Sequence, residues 1–247
     1  MEKRRVVKFV IASFIGFAAL AVAGIAGFRW MTSPPAVVNP VVAGDGPIVT
    51  LMDFARPIAL DPPPAGWWHQ KFLTKDPMRI SFVEKAGVQA LRCETSASGS
   101  IFGRHTEIDI ARFPHLAWSW LVEVPVLSDI PESEKGGDDH PARFLLEFTD
   151  SERARHHMEI IWSNGAFKPG EWKYIGSFPH YVANGGDART GEKSNMWFKE
   201  NVNLLELYRA AAKRTDTPRL TYIAIFCDTD DTGARSVAYF GGAELQQ

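Results

Sequence analysis

Two acid-rich segments carry most of the chemistry this sequence can offer: Gly136-Gly137-Asp138-Asp139-His140-Pro141 and Asp228-Thr229-Asp230-Asp231-Thr232-Gly233. Closely spaced aspartates are hard oxygen donors of the kind that hold Ca²⁺. Two carboxylates flanking a groove can also share acid and base duties. Asp228-x-Asp230-x-Thr232-Gly233 loosely imitates an EF-hand loop, with Asp228, Asp230 and Asp231 as candidate metal ligands. The loop's closing Glu is absent, since position twelve is Tyr239, and the segment falls between strands rather than helices. The alternative is a polar hairpin turn, because Asp caps backbone N–H groups and Gly takes positive φ.

Other chemistry is thin. There is no Gly-x-Ser-x-Gly elbow, Gly-rich phosphate loop, His-Glu-x-x-His helix or Cys-x-x-Cys pair. His156 and His157 are the one adjacent histidine pair, and neighbours on a strand point to opposite faces. Ser96-Ala97-Ser98-Gly99-Ser100 holds hydroxyls with no base nearby and reads as a loop. Trp118 and Trp120 share a face with Leu116 and Val122 and read as core. Trp162 ends a strand before Ser163-Asn164-Gly165, so its indole is the candidate platform for stacking a ligand.

The elements that must position these groups are mostly strands. From residue 48 onward, short apolar stretches are broken by Gly, Pro and Asp. Candidate strands are Ile48–Phe54, Met78–Val83, Val88–Glu94, Ile101–Ile110, His115–Val124, Ala142–Phe148, His157–Trp162, Trp172–Ser177, Leu220–Cys227 and Ser236–Leu245. One helix is expected over Leu204–Arg214, capped by Asn203 with Glu206 three residues on. Leu204, Leu207, Tyr208 and Ala211 form its apolar stripe. The expected fold is mainly β: a two-sheet antiparallel sandwich with one peripheral helix. If the strands starting near Ala142 and ending at Cys227 are antiparallel neighbours, the two acid-rich segments meet at one end of it. Arg143, on the opposite strand face from Phe144, is placed to neutralise part of that charge.

The N-terminus sets an expected address. Phe9–Phe28 is an uncharged, mostly apolar run of 20 residues that follows Lys3, Arg4, Arg5 and Lys8. Such a helix spans a bilayer's hydrocarbon core, and basic flanks stay cytoplasmic, so the C-terminal part should face the periplasm or exterior. A cleaved signal peptide ending near Ala21-Val22-Ala23 is the competing reading, and the continuation of the run to Phe28 favours an anchor. The expected organisation is an anchor over residues 1–30, a Pro-rich linker over 31–47 and one domain over 48–247. Beyond residue 29 the chain carries 22 basic against 28 acidic residues, a balance that phosphate backbones repel; this argues against nucleic acid. Cys93 and Cys227 are the two cysteines, read as small buried apolar groups in preference to a pair.

The segments Ala90–Ser98, Pro114–Trp120, Gly137–Phe144, Trp162 and Asp228–Gly233 together resemble an uncharacterised bacterial family, domain of unknown function 3047. The resemblance implies an extracytoplasmic sandwich of the jelly-roll kind, similar to carbohydrate-binding modules, and brings no established activity. The expected function is a non-catalytic binding domain for a glycan or another polar envelope component. Trp162 would stack, and Asp138, Asp139, Arg143, Asp228 and Asp230 would hydrogen-bond or hold Ca²⁺. The alternatives are an envelope hydrolase or lyase that pairs Asp139 with Asp228 or Asp230, and a structural partner domain.

Overall fold

The computed structural model describes residues 38–247, which fall within one compact unit. The expected membrane segment Phe9–Phe28 lies outside the described residues. Among those described, no helix is long and apolar enough to cross a membrane.

Among the described residues, fourteen strands follow in chain order. The first seven are β1 Val41–Val42, β2 Ile48–Met52, β3 Trp67–Lys71, β4 Arg79–Lys85, β5 Val88–Ser96, β6 Gly99–Asp109 and β7 His115–Val124. The rest are β8 Arg143–Thr149, β9 Arg155–Ser163, β10 Trp172–Ile175, β11 Phe178–Gly185, β12 Phe198–Asn203, β13 Arg219–Asp228 and β14 Arg235–Gln246, with helix α1 at Leu204–Ala212 between β12 and β13. One sheet has eight strands in the order β1-β6-β13-β8-β9-β11-β10, with β3 also on β6. The other has six in the order β12-β7-β14-β5-β4, with β2 also on β14. The result is a mainly β, jelly-roll-like sandwich with one α-helix among the described residues.

The core lies between the sheets because the alternating strands turn their apolar faces inward. Trp118 and Trp120 of β7 meet Phe144 of β8 and Phe240 of β14, with Phe144 and Phe240 ring centroids 5.5 Å apart. Helix α1 covers part of the core with Leu204 and Tyr208, both buried. Its cap forms as expected, Glu206 N donating to Asn203 Oδ1 at 3.1 Å. It stops short of Arg214 because Lys213 turns left-handed at φ 54°. Cys93 on β5 and Cys227 on β13 are free, buried thiols. Burial and the neighbouring Cys93 sulfur push the Cys227 thiol up.

Three expectations change. The sheets are not purely antiparallel: β11 runs parallel to β9, and β1 parallel to β6. The chain leaves β9, crosses to the sheet edge as β10, and returns as β11 between them, which makes β11 parallel to β9. The stretch expected as linker up to residue 47 joins the sheet at Val41–Val42, opposite Thr106 and Glu107. Strands β3, β11 and β12 were hidden in the sequence, because β11 begins Phe178-Pro179 and ends Asn184-Gly185, while β12 is a polar edge strand.

Candidate functional site

Strand β8 begins where β13 ends, and the two pair antiparallel with Phe226 opposite Arg143. The acid-rich segments preceding β8 and following β13 therefore meet at one rim. Carboxylate oxygens of Asp139, Asp228 and Asp230 lie within 4.8 Å of one another. Gly99 on β6 makes room for them: a Cβ there would lie 2.8 Å from the Asp228 Cβ.

Arg143 is the hub. It is 2% exposed on the outer face of the eight-stranded sheet, its guanidinium 4.0 Å above the Phe226 ring. It is ion-paired to Asp228, donates to Glu159 Oε2 at 2.8 Å, and donates to the Asp138 carbonyl at 3.2 Å. Burial works against its charge, but Asp228 and Glu159 outweigh that and raise its pKa above the ordinary arginine value. Burial also pushes Glu159 up, yet Arg143 and His180 hold its carboxyl at about 2. Asp228 is pushed up by burial, pulled back by Arg143, and pushed further by Asp139.

A second chain of polar groups closes the rim. Lys173 on β10 donates to Asp138, and also to His140 Nε2 at 2.9 Å. His140 Nδ1 lies 2.9 Å from the Trp162 carbonyl, which can only accept, so Nδ1 carries the proton and Nε2 accepts from Lys173. Burial and the Lys173 ammonium hold His140 below the usual histidine range. Burial opposes ionisation of Asp138, but the Arg143 guanidinium helps hold it below the usual carboxylate range. Asp139 accepts from Thr232 N at 2.7 Å and from the Thr232 hydroxyl. Asp230 pairs with Lys75 at 3.4 Å.

Beside this cluster opens a cleft of about 420 Å³ between residues 126–132, Asn164, Asp187–Arg189 and Thr232. Glu132 is 7% exposed and lines it. Its Oε2 accepts from Ser163 Oγ at 3.0 Å and from the backbone N of Asn164 and Ala166, each at 3.1 Å. Its Oε1 makes no hydrogen bond among the described residues and lies 3.5 Å from the buried His140 Nδ1. Asn164 joins cleft to cluster, donating to the Asp139 carbonyl at 2.9 Å and accepting from Val126 N at 3.2 Å. Arg189 and Asp129 pair at the exposed lip.

A family model described as protein of unknown function (DUF3047) matches residues 65–244. The chain belongs to this family. No curated protein matches it at a significant level. Among solved structures, the family 11 carbohydrate-binding module of the Clostridium thermocellum cellulase Lic26A-Cel5E is similar at 7% identity and TM-score 0.43, over 83% of this chain and 96% of that one. The family 30 module of the C. thermocellum cellulase Cel9D-Cel44B is similar at 11% identity and TM-score 0.44, over 81% and 97%. A thermostable cellulase derived from Cel12A of Rhodothermus marinus is similar at 9% identity and TM-score 0.38, over 81% and 100%. These likenesses carry no information about a ligand for the DUF3047 domain.

Of the residues singled out in the sequence, the rim brings together Asp138, Asp139, Arg143, Asp228 and Asp230. Two change role. Trp162 is 1% exposed and turns into the core, its ring 5.9 Å from Trp120 and 5.5 Å from Phe198, which leaves no face for a ligand to stack on. The strand's alternation, with Ile160 and Trp162 both inward, decides this over the turn that follows. Asp231 stands outside the carboxylate group; its backbone N faces Asp139 Oδ1 at 3.4 Å and its side chain is exposed. The paired-acid reading loses its groove as well. Asp139 is fully buried and Asp228 is engaged by Arg143, so the cluster works as an internal lock. Glu132, His140, Glu159, Lys173 and His180 were missed. Glu159 left a faint signal, an acid set among the apolar residues Met158, Ile160, Ile161 and Trp162 of β9.

Arg143→Met leaves Asp228 and Glu159 buried without their cation and should cost about 3–5 kcal/mol by urea unfolding. Glu159 supplies the pH dependence. Its folded pKa of about 2 lies below the ordinary 4.5, so the folded state binds its proton less tightly. The resulting stability, about 3 kcal/mol, is complete above about pH 4.5 and is lost as pH falls towards 2. Unfolding free energies measured across that window should fall less steeply in Glu159→Gln than in the parent; equal slopes would contradict the assignment.

Proposed function

We propose that the DUF3047 domain is a non-catalytic binding module for a hydroxyl-rich ligand of the glycan class, held in the rim cleft. One observation carries the reading: Glu132 lines the cleft while its Oε1 makes no hydrogen bond, the buried His140 Nδ1 lying 3.5 Å away. An acceptor buried without a donor is costly, and a sugar hydroxyl supplies that donor. Polar groups around it, Asn164 and Thr232 from the lock side and the Asp129–Arg189 pair at the lip, suit a ligand that both gives and takes hydrogen bonds. The apolar Leu127 and Ile130 side chains, both exposed, offer contact for C–H faces. The lock's contribution is to fix the cleft's inner wall through Asn164.

The N-terminal run Phe9–Phe28 and its basic flank support presentation of the module outside the cytoplasmic membrane. Protease added to intact spheroplasts should then degrade the domain, and full protection until lysis would refute the placement.

Calorimetry of the full chain with soluble cell-envelope glycan fragments tests the binding. The expected result is saturable heat, weakened roughly tenfold or more in Glu132→Gln. Glutamine can keep one oxygen on the Ser163, Asn164 and Ala166 donors while replacing Oε1 by a donor. Absence of heat, or equal affinity in a folded Glu132→Gln, would rule the reading out.

A further inference from the structure

The sequence holds two cysteines, Cys93 on β5 and Cys227 on β13. Their strands belong to different sheets, β5 to the six-stranded one and β13 to the eight-stranded one. Each is at most 1% exposed, and both sit in the same core cluster. A corner of the sandwich brings them together. Past Ser96 the Ala97-Ser98 turn carries the chain from β5 in one sheet to β6 in the other, with Ala97 left-handed at φ 47°. Strand β6 then pairs with β13, Ser100 opposite Cys227 and Gly99 opposite Asp228. Thr229, just past β13, donates its N–H to the Ser98 carbonyl at 2.9 Å. Strands β5 and β13 approach to within 8 Å between Cα atoms although no ladder joins them. Inside this corner the Cys93 and Cys227 thiols share a hydrogen bond.

We propose that Cys93 and Cys227 are a disulfide pair, which clamps the two sheets together beside the Asp228 rim when the chain folds in an oxidising compartment. A disulfide needs Cα atoms about 4.4–6.8 Å apart and sulfurs that face each other. Thiols already in hydrogen-bond contact lie close to that arrangement. Structural zinc takes four ligands. Among the described residues, the one group of metal-type side chains in mutual reach is Asp139, Asp228 and Asp230, without either cysteine. A filler role explains the burial of two small side chains, but not why the two thiols of the whole chain meet across the sandwich. Asp228 follows Cys227 directly, so the bond also fixes the strand end that pairs with Arg143.

The oxidant is a small-molecule or protein disulfide. One cysteine thiolate attacks it and expels a thiol, leaving a mixed disulfide. The second cysteine thiolate attacks the first cysteine's sulfur and expels the other thiol. Two protons and two electrons pass to the oxidant, which leaves as two thiols. Burial raises the Cys227 thiol, and the adjoining Cys93 adds to this, which disfavours the thiolate once the core has closed. The bond therefore forms while the sheets come together.

Refolding of the full chain from denaturant in a buffer of reduced and oxidised glutathione tests this. By intact mass the product should have lost two hydrogens, and it should take up no iodoacetamide after denaturation. Non-reducing digestion should yield one peptide pair joined through Cys93 and Cys227. Dithiothreitol should lower the thermal midpoint by roughly 5–15 °C. In the double variant Cys93→Ala, Cys227→Ala the midpoint should not respond to dithiothreitol. If that variant does not fold, the mass and peptide measurements on the wild type decide alone. Two alkylatable thiols in the folded product would overturn the pairing. So would glutathione adducts or cross-linked dimers in place of the internal bond.

Discussion

The end of this sandwich depends on one buried cation. Arg143 sits at the first residue of β8 and faces two carboxylates and a backbone carbonyl supplied by three different parts of the chain: Asp228 at the end of β13, Glu159 on β9, and the Asp138 carbonyl in the preceding loop. Without it, several carboxylates would crowd a space that water does not reach. With it, each acid has a partner, and the loop ahead of β8 is tied to the strands it crosses. A buried ion pair gains little net stability against an apolar replacement of the same shape, because desolvation offsets the attraction. We therefore assign Arg143 a positional role: it fixes where the two acid-rich segments lie relative to each other.

That positioning reaches the surface through short steps. Asp139, held by Thr232, places its own carbonyl to accept from Asn164. Asn164 forms part of the cleft wall and its backbone N bonds Glu132. His140 serves as a neutral connector, its proton committed to the Trp162 carbonyl and its free nitrogen to Lys173. The acids most visible in the sequence thus build a wall, and the carboxylate oxygen left without a hydrogen bond beside the opening belongs to Glu132 of the loop behind it.

Much of this was legible in the sequence, and the failures have physical causes. Strand β7 was expected at its observed bounds, His115–Val124, because its apolar alternation is unbroken over ten residues. The meeting of residues 138–139 with 228–230 followed from two strand ends and an assumed antiparallel pairing. Trp162 was misjudged because position near a turn was weighed above facing direction. Strand β12 was hidden because an edge strand buries little and can be polar. Lys173 and His180 were hidden for a different reason: the β10–β11 return carries Lys173 to Asp138 and His140 of the loop before β8, and His180 to Glu159 of β9, an arrangement that no local pattern encodes. The helix was legible because its cap, stripe and stop are all local.

The central claim is that Arg143 and Asp228 act as one unit. A double-mutant cycle measures this directly: urea unfolding of the parent, Arg143→Met, Asp228→Asn and the double variant. The account predicts a coupling of about 2 kcal/mol or more, the double variant being much less unstable than the two single losses combined. Losses that add to within about 0.5 kcal/mol would mean that the two residues act separately, and that the rim is held by other contacts.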